Sequence, residues 1–394
     1  MNKRKILFIN DSAWSGSGVF RSLQQVLEHI SYDKFDATLF VYVNGPVEQT
    51  MLSALPSAVK VVISEDKTHY YRFPDIAFLY VLSRIFSLLR FQKGEEYLRR
   101  RTRQRIRRKR NQLLAKKYFK NTGFDVLVAN TVPHCSEIGQ FIRADKKYVV
   151  YHSSREQFFP SATKEALRRF NGMVAVSESV FALLARIYPD DANKLRLITN
   201  YVDAEKLREQ AREYPLPEHT DIPVICTCGR FSKEKGFDLA AEAARILKEK
   251  GFDFIWYFVG DGGERQRIAD MIEKWGLSDR IVLTGFLPNP HPYIGGCDIY
   301  VQPSREEAQP LAVMEARCLG RAIVCTETLG GETVLKNGEY GVLTSISAEG
   351  IASGVESLLA SAERSAAFEN LYTQEDYLRE KHEYEEAWDR LLSE

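Results

Sequence analysis

Residues 303–320 read PSREEAQPLAVMEARCLG, and the organisation of the whole chain follows from them. The run before them, DIYVQP, is apolar enough for a buried strand. Pro310 has the fixed φ that suits the first position of a helix. LAVMEARCL supplies good helix formers, and Gly320 can end the helix. The stretch therefore predicts strand, tight loop and helix, with Glu307 on the loop and Glu315 about one turn inside the helix. The open backbone N–H groups at such a helix start make an anion site suited to phosphate. Two carboxylates beside an anion site have another task. Accepting hydrogen bonds from ribose or sugar hydroxyls fits their chemistry. Taken alone, E-x7-E also has a plainer reading, a capping acid followed by a solvated helix residue.

Upstream, IPVICTCGRFSKEKGFDLAAEAARIL predicts a buried strand running into Gly229-Arg230, a loop with Lys233 and Lys235, then Gly236 and a long amphipathic helix. Arg230 and Lys235 lie five residues apart on a loop at a strand end. They can converge on one diphosphate, Arg as a fork and Lys as a point charge, or belong to a solvated charged loop. Two further strands end in Gly260-Asp261-Gly262 and Gly285-Phe286, and Ala322 to Thr326 reads as another. No Asp-x-Asp pair suits a divalent ion; Asp261 and Asp298 stand isolated.

These blocks resemble retaining glycosyltransferases of the GT-B fold, family 4 type (glycosyl transferases group 1). PSREEAQPLAVMEA follows that family's P-S-x-x-E-G-x-P-L-x-x-x-E-A signature. GRFSKEKG follows its G-R-x-x-x-E-K-G, and GGETVLKNGEYGVLT its closing G-x-x-E…N-G…G element. Ala308 stands where the family has Gly, and its Cβ narrows the pocket near the transferred sugar. The resemblance implies an α/β protein with two Rossmann-like domains facing across a cleft and a nucleotide-sugar donor held mainly by the second. It implies that Arg230 and Lys235 neutralise the leaving diphosphate, which the helix start at Leu311 and Ala312 helps to hold, and that Gly229 and Gly260 belong to the donor-binding set. Glu315 would accept from the ribose hydroxyls, and Glu307 would hold the sugar with backbone groups around Ala308, Gln309 and Pro310. The loop at Phe286 and Leu287 would lie near the nucleobase, with uracil against guanine left open. Glu332 is an accessory residue or a first-turn helix acid. Reaction on one face, with the leaving phosphate helping to deprotonate the acceptor, requires neither metal nor cofactor.

In the first half, KILFIN predicts a parallel strand covered on both faces, followed by the loop DSAWSGSG and a helix from about Val19 to Ile30. Gly16 and Gly18 permit close approach of backbone to phosphate or sugar, or mark a plain tight turn. Arg21 stands where a dinucleotide fingerprint requires Gly, which disfavours an NAD-type protein. The loop is similar to the N-terminal loop of the same family. DATLFVYV, VKVVIS, DVLVAN, KYVVYH, GMVAVS and KLRLIT follow as strands, an alternation that predicts a parallel sheet wrapped by helices. His152 ends one strand, where ligands collect in such sheets, and the family has a His there against the transferred sugar. Ser177-Glu178-Ser179 resembles the family's V-S-x-S turn and is equally an N-cap. Asn200-Tyr201-Val202-Asp203 resembles its N-G-V-D turn, with Tyr201 replacing Gly. The expected domains are 1–203, a linker over 204–221 with Pro215 and Pro217, and 222–375, with a final helix from about 376 to 394 packing back on the first domain.

The 394 residues suit two domains, and a net charge of +1 with 44% apolar content is ordinary for a globular chain. The charge is uneven. Tyr97 to Phe124 holds twelve Lys or Arg and no acid, which leaves −11 for the rest of the chain. Just before it, Ile76 to Phe91 is apolar and aromatic, broken by Arg84 and Arg90, and no run reaches the ~18–20 residues of a spanning helix. Residues 76–120 read as a packed helix followed by a solvated basic one, as a surface for an anionic membrane, or as a seat for an anionic polymeric acceptor. No nucleic-acid module surrounds the cluster, so no nucleic-acid partner is expected. The N-terminus lacks an apolar signal region, and the six scattered cysteines read as reduced core residues of a cytoplasmic protein, membrane-associated on the inner face if the basic segment meets lipid. The expected function is transfer of a sugar from a nucleotide-diphospho-sugar, UDP-linked first, to a carbohydrate, lipid-linked or protein-linked acceptor. The alternatives are an epimerase-like nucleotide-sugar enzyme and a non-catalytic binding or partner protein.

Overall fold

Apolar runs without alternation become the strands of two parallel sheets, because helices cover both faces of each. The computed structural model describes residues 3–13, 17–42, 47–65, 74–88, 92–153, 168–217, 222–369 and 371–394. The first sheet holds β1 (Arg4–Asn10), β2 (Phe35–Val41), β3 (Lys60–Ile63), β4 (Phe124–Ala129), β5 (Ala144–Tyr151), β6 (Gly172–Ala175) and β7 (Leu195–Leu197). Their order is β3-β2-β1-β4-β5-β6-β7. The second holds β8 (Val224–Cys228), β9 (Ile255–Val259), β10 (Ile281–Gly285), β11 (Ile299–Gln302), β12 (Ala322–Thr326) and β13 (Val342–Thr344), in the order β10-β9-β8-β11-β12-β13. Every recorded strand pairing is parallel. Strand order reverses between β1 and β4 and between β8 and β11, and the carboxyl ends at such points are where ligands bind.

The helices of the first half are α1 (Gly18–His29), α2 (Gln49–Ser53), α3 (Pro74–Leu88), α4 (Gln92–Phe119), α5 (His134–Gly139) and α6 (Glu178–Ile187). They are followed by α7 (Ala204–Gln210), α8 (Phe237–Glu249), α9 (Arg265–Lys274), α10 (His291–Gly296) and α11 (Leu311–Cys318). The chain closes with α12 (Leu329–Val334), α13 (Ala348–Leu359), α14 (Ala362–Glu369) and α15 (Gln374–Ser393). Two compact units result. One takes residues 1–151, 155–174 and 391–394, the other 152–154 and 175–390, so the chain leaves the first unit inside β6.

In the first unit Ile6, Leu7, Phe8 and Ile9 are fully buried, as a central parallel strand requires. In the second, α8 lays Ala240, Ala241, Ala243, Ala244 and Leu247 on the sheet, where small side chains let the helix approach closely. Trp256 is fully buried, and its indole N–H donates to Thr227 Oγ1 at 3.0 Å, which removes the penalty of an unpaired polar group.

Residues 204–221, read as a linker, begin with a helix. Asp203 Oδ1 accepts from the backbone N–H of Glu205 and Lys206, each at 3.1 Å, and α7 buries Ala204 and Leu207. Tyr201 also finds its reason. Its ring stacks on Tyr384 of α15 at 5.3 Å and lies 6.0 Å from Tyr377, so the aromatic that replaces a glycine holds the C-terminal helix. A second tie is the buried Arg317 of α11, which donates from Nη2 to both carboxylate oxygens of Glu380, at 2.8 and 3.0 Å. In the first unit Tyr148 donates to Glu394 at 2.9 Å. All six cysteines are free thiols, and no described helix is long and apolar enough to cross a membrane.

Candidate active site of the second unit

Backbone contact, before any side chain, brings two loops of the second unit together. A single 3-10 turn, Lys233–Lys235, ends at Gly236 with φ +69°. A Cβ on Gly236 would fall 1.9 Å from the Pro303 carbonyl oxygen, so only glycine lets the Lys235 loop touch the loop after β11. Arg305 fastens the same contact. Its N–H donates to Glu234 O at 2.8 Å and its guanidinium to Lys233 O at 2.8 Å, while a fork reaches Asp238 at 2.7 and 3.0 Å. Burial pushes the Asp238 carboxyl up, but Arg305 and Arg267 outweigh it and hold that carboxyl below its usual range.

Across this seam Lys235 Nζ donates to Glu307 Oε1 at 2.7 Å. Ser304 Oγ donates to the same oxygen at 2.7 Å and Gln302 Nε2 at 3.1 Å. Three donors thus meet one oxygen of a carboxylate that is 8% exposed. Behind them Tyr300 OH donates to Gln302 Oε1 at 2.8 Å, and burial pushes that phenol well above its usual range, so it stays a donor. Gly330 N donates to Glu307 O at 3.2 Å and closes the far side. The nearby Cys325 thiol is driven up by burial and then by the Glu307 charge, which keeps it protonated.

The helix start is as expected, with one shift. Pro310 is the N-cap residue and not the first helical residue, and it brings no side-chain cap. The N–H groups of Leu311 and Ala312 therefore open α11 without an intrahelical partner. Gly320 follows the helix at φ +65°. Glu315 is buried four residues into α11, with His291 Nε2 3.7 Å from its Oε1. Asn289 sets the His291 ring. Its Nδ2 donates to Gln210 O and Glu213, which turns Oδ1 toward His291 Nδ1 at 2.9 Å. Nδ1 then carries the hydrogen, and Nε2 is the atom turned to Glu315.

The other expected residues divide. Arg230 is 57% exposed on its side chain and pairs with Glu234 at 3.1 Å, so Arg230 and Lys235 each have their own acid. Gly229 follows β8, and the Gly260 N–H donates to Gly285 O at 2.9 Å. Gly260 has φ +140°, and a Cβ there would fall 1.9 Å from Gly229 O, so the ends of β8 and β9 touch through backbone. Phe286 is exposed and Leu287 half-buried after β10. Among the described residues Arg265 Nη1, buried near Gly285, has no hydrogen-bond partner. Beside Glu307, the Ala308 carbonyl and the Gln309 side chain each have a partner within the unit. Ala308 O accepts from Ser179 Oγ at 3.2 Å, and Gln309 Oε1 from Asn200 N at 3.0 Å. Ser177 caps α6, and Glu332 lies in the first turn of α12. In the first half Gly18 opens α1 under a Ser17 cap, and His152 follows β5, half-buried. Gly16 lies outside the described residues. Among the described residues no group of three His, Cys, Asp or Glu side chains could hold a metal ion.

Arg305, His291 and Asn289 were missed by reading the sequence, since their partners are 67, 24 and 79 residues away. So was a polar cluster of the first unit at the β1–β4 switch point. There Asn130 Nδ2 donates to Asn10 Oδ1 at 2.8 Å, and His134 Nδ1 meets Asp11 Oδ2 at 3.1 Å. The available signal was that Asn10, Asp11 and Asn130 sit at the ends of strand-like runs, while His134 opens α5 a few residues later.

The two parallel Rossmann-like units define the GT-B class of fold. HepE of Anabaena, solved with UDP and glucose, superposes with a TM-score of 0.69 over 99% of this chain and 98% of that one at 16% identity. Residues 197–373 match the family model of glycosyl transferases group 1. The lipopolysaccharide core biosynthesis glycosyltransferase LpsE of Rhizobium meliloti (strain 1021) is 28% identical over 168 residues, 42% of this chain and 48% of that protein. The 2-deoxystreptamine glucosyltransferase of Streptomyces kanamyceticus is 31% identical over 170 residues, 40% and 43% of the two chains. The chain thus spans about half the length of the curated relatives it matches.

Proposed function

We propose that this chain is a retaining, metal-independent glycosyltransferase. It moves a sugar from a nucleoside diphospho-sugar, a UDP-sugar, to a glycan, glycolipid or protein-linked acceptor in the assembly of a cell-surface glycan. The observation that carries this reading is the Lys235–Glu307 pair, set 2.7 Å apart, with Glu307 four residues before an uncapped helix start. A diphosphate at the start of α11 competes with Glu307 for Lys235. Once Lys235 turns to phosphate, Glu307 can accept from a sugar hydroxyl while Ser304 and Gln302 keep its charge satisfied. Arg230, exchanging Glu234 for phosphate, adds a forked contact, and the Leu311 and Ala312 N–H groups complete the set. Glu315, set against His291, takes the ribose, and Arg265 Nη1 offers a further donor to the nucleoside. Charge that builds on the leaving diphosphate then meets donors already in place. Departure and attack on one face, with the phosphate assisting deprotonation of the acceptor, use no protein nucleophile. His152 contacts the transferred sugar in this reading. The LpsE relationship supports a surface glycan, and the UDP and glucose bound to HepE support the donor class. We place the enzyme in the cytoplasm, peripheral to the membrane.

The test is release of nucleoside diphosphate from a panel of UDP-, GDP- and ADP-sugars, with and without EDTA. One donor is expected to be consumed slowly without acceptor, EDTA is expected to change nothing, and both Glu307→Ala and Lys235→Ala should stop the release. A donor that binds and changes configuration without release would favour an epimerase. Binding without turnover, with or without extracts containing acceptor, would favour a non-catalytic partner protein.

A further inference from the structure

We infer that the α3–α4 hairpin is a docking surface for the anionic face of a phospholipid bilayer. The inference rests on the transferase reading only for its purpose, which is to hold the enzyme at a membrane-borne acceptor; the surface itself is argued from its own side chains.

The two helices follow β3 and pack against each other. One face of each is occupied. Leu79 of α3 and Leu98 and Thr102 of α4 are buried. Farther along α4, Asn111 accepts from Tyr42 OH at 2.9 Å, Arg107 pairs with Glu137 at 2.6 Å, and Phe119 meets Phe40 edge-on at 5.0 Å. These contacts anchor α4 to the first sheet.

The opposite faces are open. On α3, Phe78, Val81 and Ile85 are 65%, 56% and 44% exposed. Their spacing of i, i+3 and i+7 aligns them as one stripe, and Arg84 is exposed beside it. On α4, Tyr97 is 57% exposed under the Arg101 guanidinium, and Arg100, Arg103 and Arg108 also face solvent. An apolar stripe alone would fit a protein partner, and an arginine-rich helix alone would fit any polyanion. Side by side they fit a bilayer boundary, where apolar side chains enter between headgroups and guanidinium groups meet lipid phosphate. Since no described helix can cross, the hairpin lies on the membrane. A nucleic acid would use the arginines and leave the Phe78 stripe in water.

Flotation of the full chain with vesicles tests this, using phosphatidylcholine alone and with about 30 mol% phosphatidylglycerol. The wild type is expected to bind the anionic vesicles at least ~10-fold more tightly, with affinity falling as salt rises. Arg100→Gln, Arg101→Gln, Arg103→Gln and Arg108→Gln together should remove that preference. Phe78→Ser, Val81→Ser and Ile85→Ser together should remove the binding that persists at high salt. A Phe78→Trp variant should shift its emission to the blue only with anionic vesicles. Equal binding to both vesicle types, or a serine variant that floats like wild type, overturns the inference. So does retention of duplex nucleic acid with affinity that excludes vesicles. Affinity for UDP, measured without lipid, should be unchanged in both sets; failure of UDP to bind the wild type would sink the transferase reading and leave the docking result standing.

Discussion

In the proposed reaction the chemistry turns on Glu307 and Lys235, and their environments separate charge from packing. Glu307→Gln keeps an oxygen that can accept from Ser304 and Gln302 but loses the charge that meets Lys235. We expect little change in melting temperature and a fall in turnover of about 10²–10³-fold, on the scale of losing one pre-placed electrostatic group. Glu307→Ala leaves buried donors unpaired and should also cost about 2 kcal/mol of stability, read by denaturant titration. Retained turnover in the glutamine variant would remove Glu307 from the mechanism. If Glu315 takes the ribose as proposed, His291 is a positioning residue, since its Nε2 lies 3.7 Å from Glu315 Oε1. His291→Phe fills the same space and should weaken UDP about 10-fold by calorimetry, equivalent to about 1.4 kcal/mol, without altering the melting temperature. Unchanged UDP affinity would mean that Glu315 needs no support from His291.

At the scale of elements, the site depends on a seam between two loops. Gly236→Ala places a Cβ against the Pro303 carbonyl and strains a positive φ, so the loops must separate. A loss of about 2 kcal/mol or more is expected, with donor turnover falling alongside it. The Arg305–Asp238 fork adds a pH signature. Because the Asp238 carboxyl lies below its usual range in the folded chain, its contribution is present above the unfolded carboxylate pKa, about 3.9, and is lost as pH falls through the lower folded value. The difference in melting temperature between wild type and Asp238→Asn should therefore shrink as the pH is lowered below about 4. A constant gap would mean that packing, and not charge, sustains the seam. Secondary structure at this scale was legible, because strand–loop–helix units carry their own signals, Gly236, Gly320 and the capping residues among them. The α7 helix was not legible: seven residues in a polar stretch that runs on to Pro215 and Pro217 show too little periodicity.

At the scale of the whole molecule, the C-terminal helix is tied to the site helix by Arg317 and Glu380. Glu380→Ala leaves a buried guanidinium without its carboxylate and should cost about 3 kcal/mol, visible as an early transition in calorimetry. Under the proposed transferase reading, the His134–Asp11 pair at the switch point of the first unit is expected to serve the acceptor. His134→Ala and Asp11→Asn should lower transfer to acceptor while acceptor-free donor hydrolysis persists; loss of both activities together would argue against an acceptor role. What the sequence by itself determined were the properties carried by neighbours along the chain: two parallel sheets, the loop before α11, the cation loop after β8, the basic α4. Only the tertiary structure decided which of these meet. Lys235 and Glu307 are 72 residues apart, Arg317 and Glu380 are 63 apart, and the Tyr201 ring finds Tyr384 only after the last helix packs. Pairings of this kind depend on where strands cross over and on the close backbone approach that Gly236 permits. Neither leaves a periodic trace in the chain.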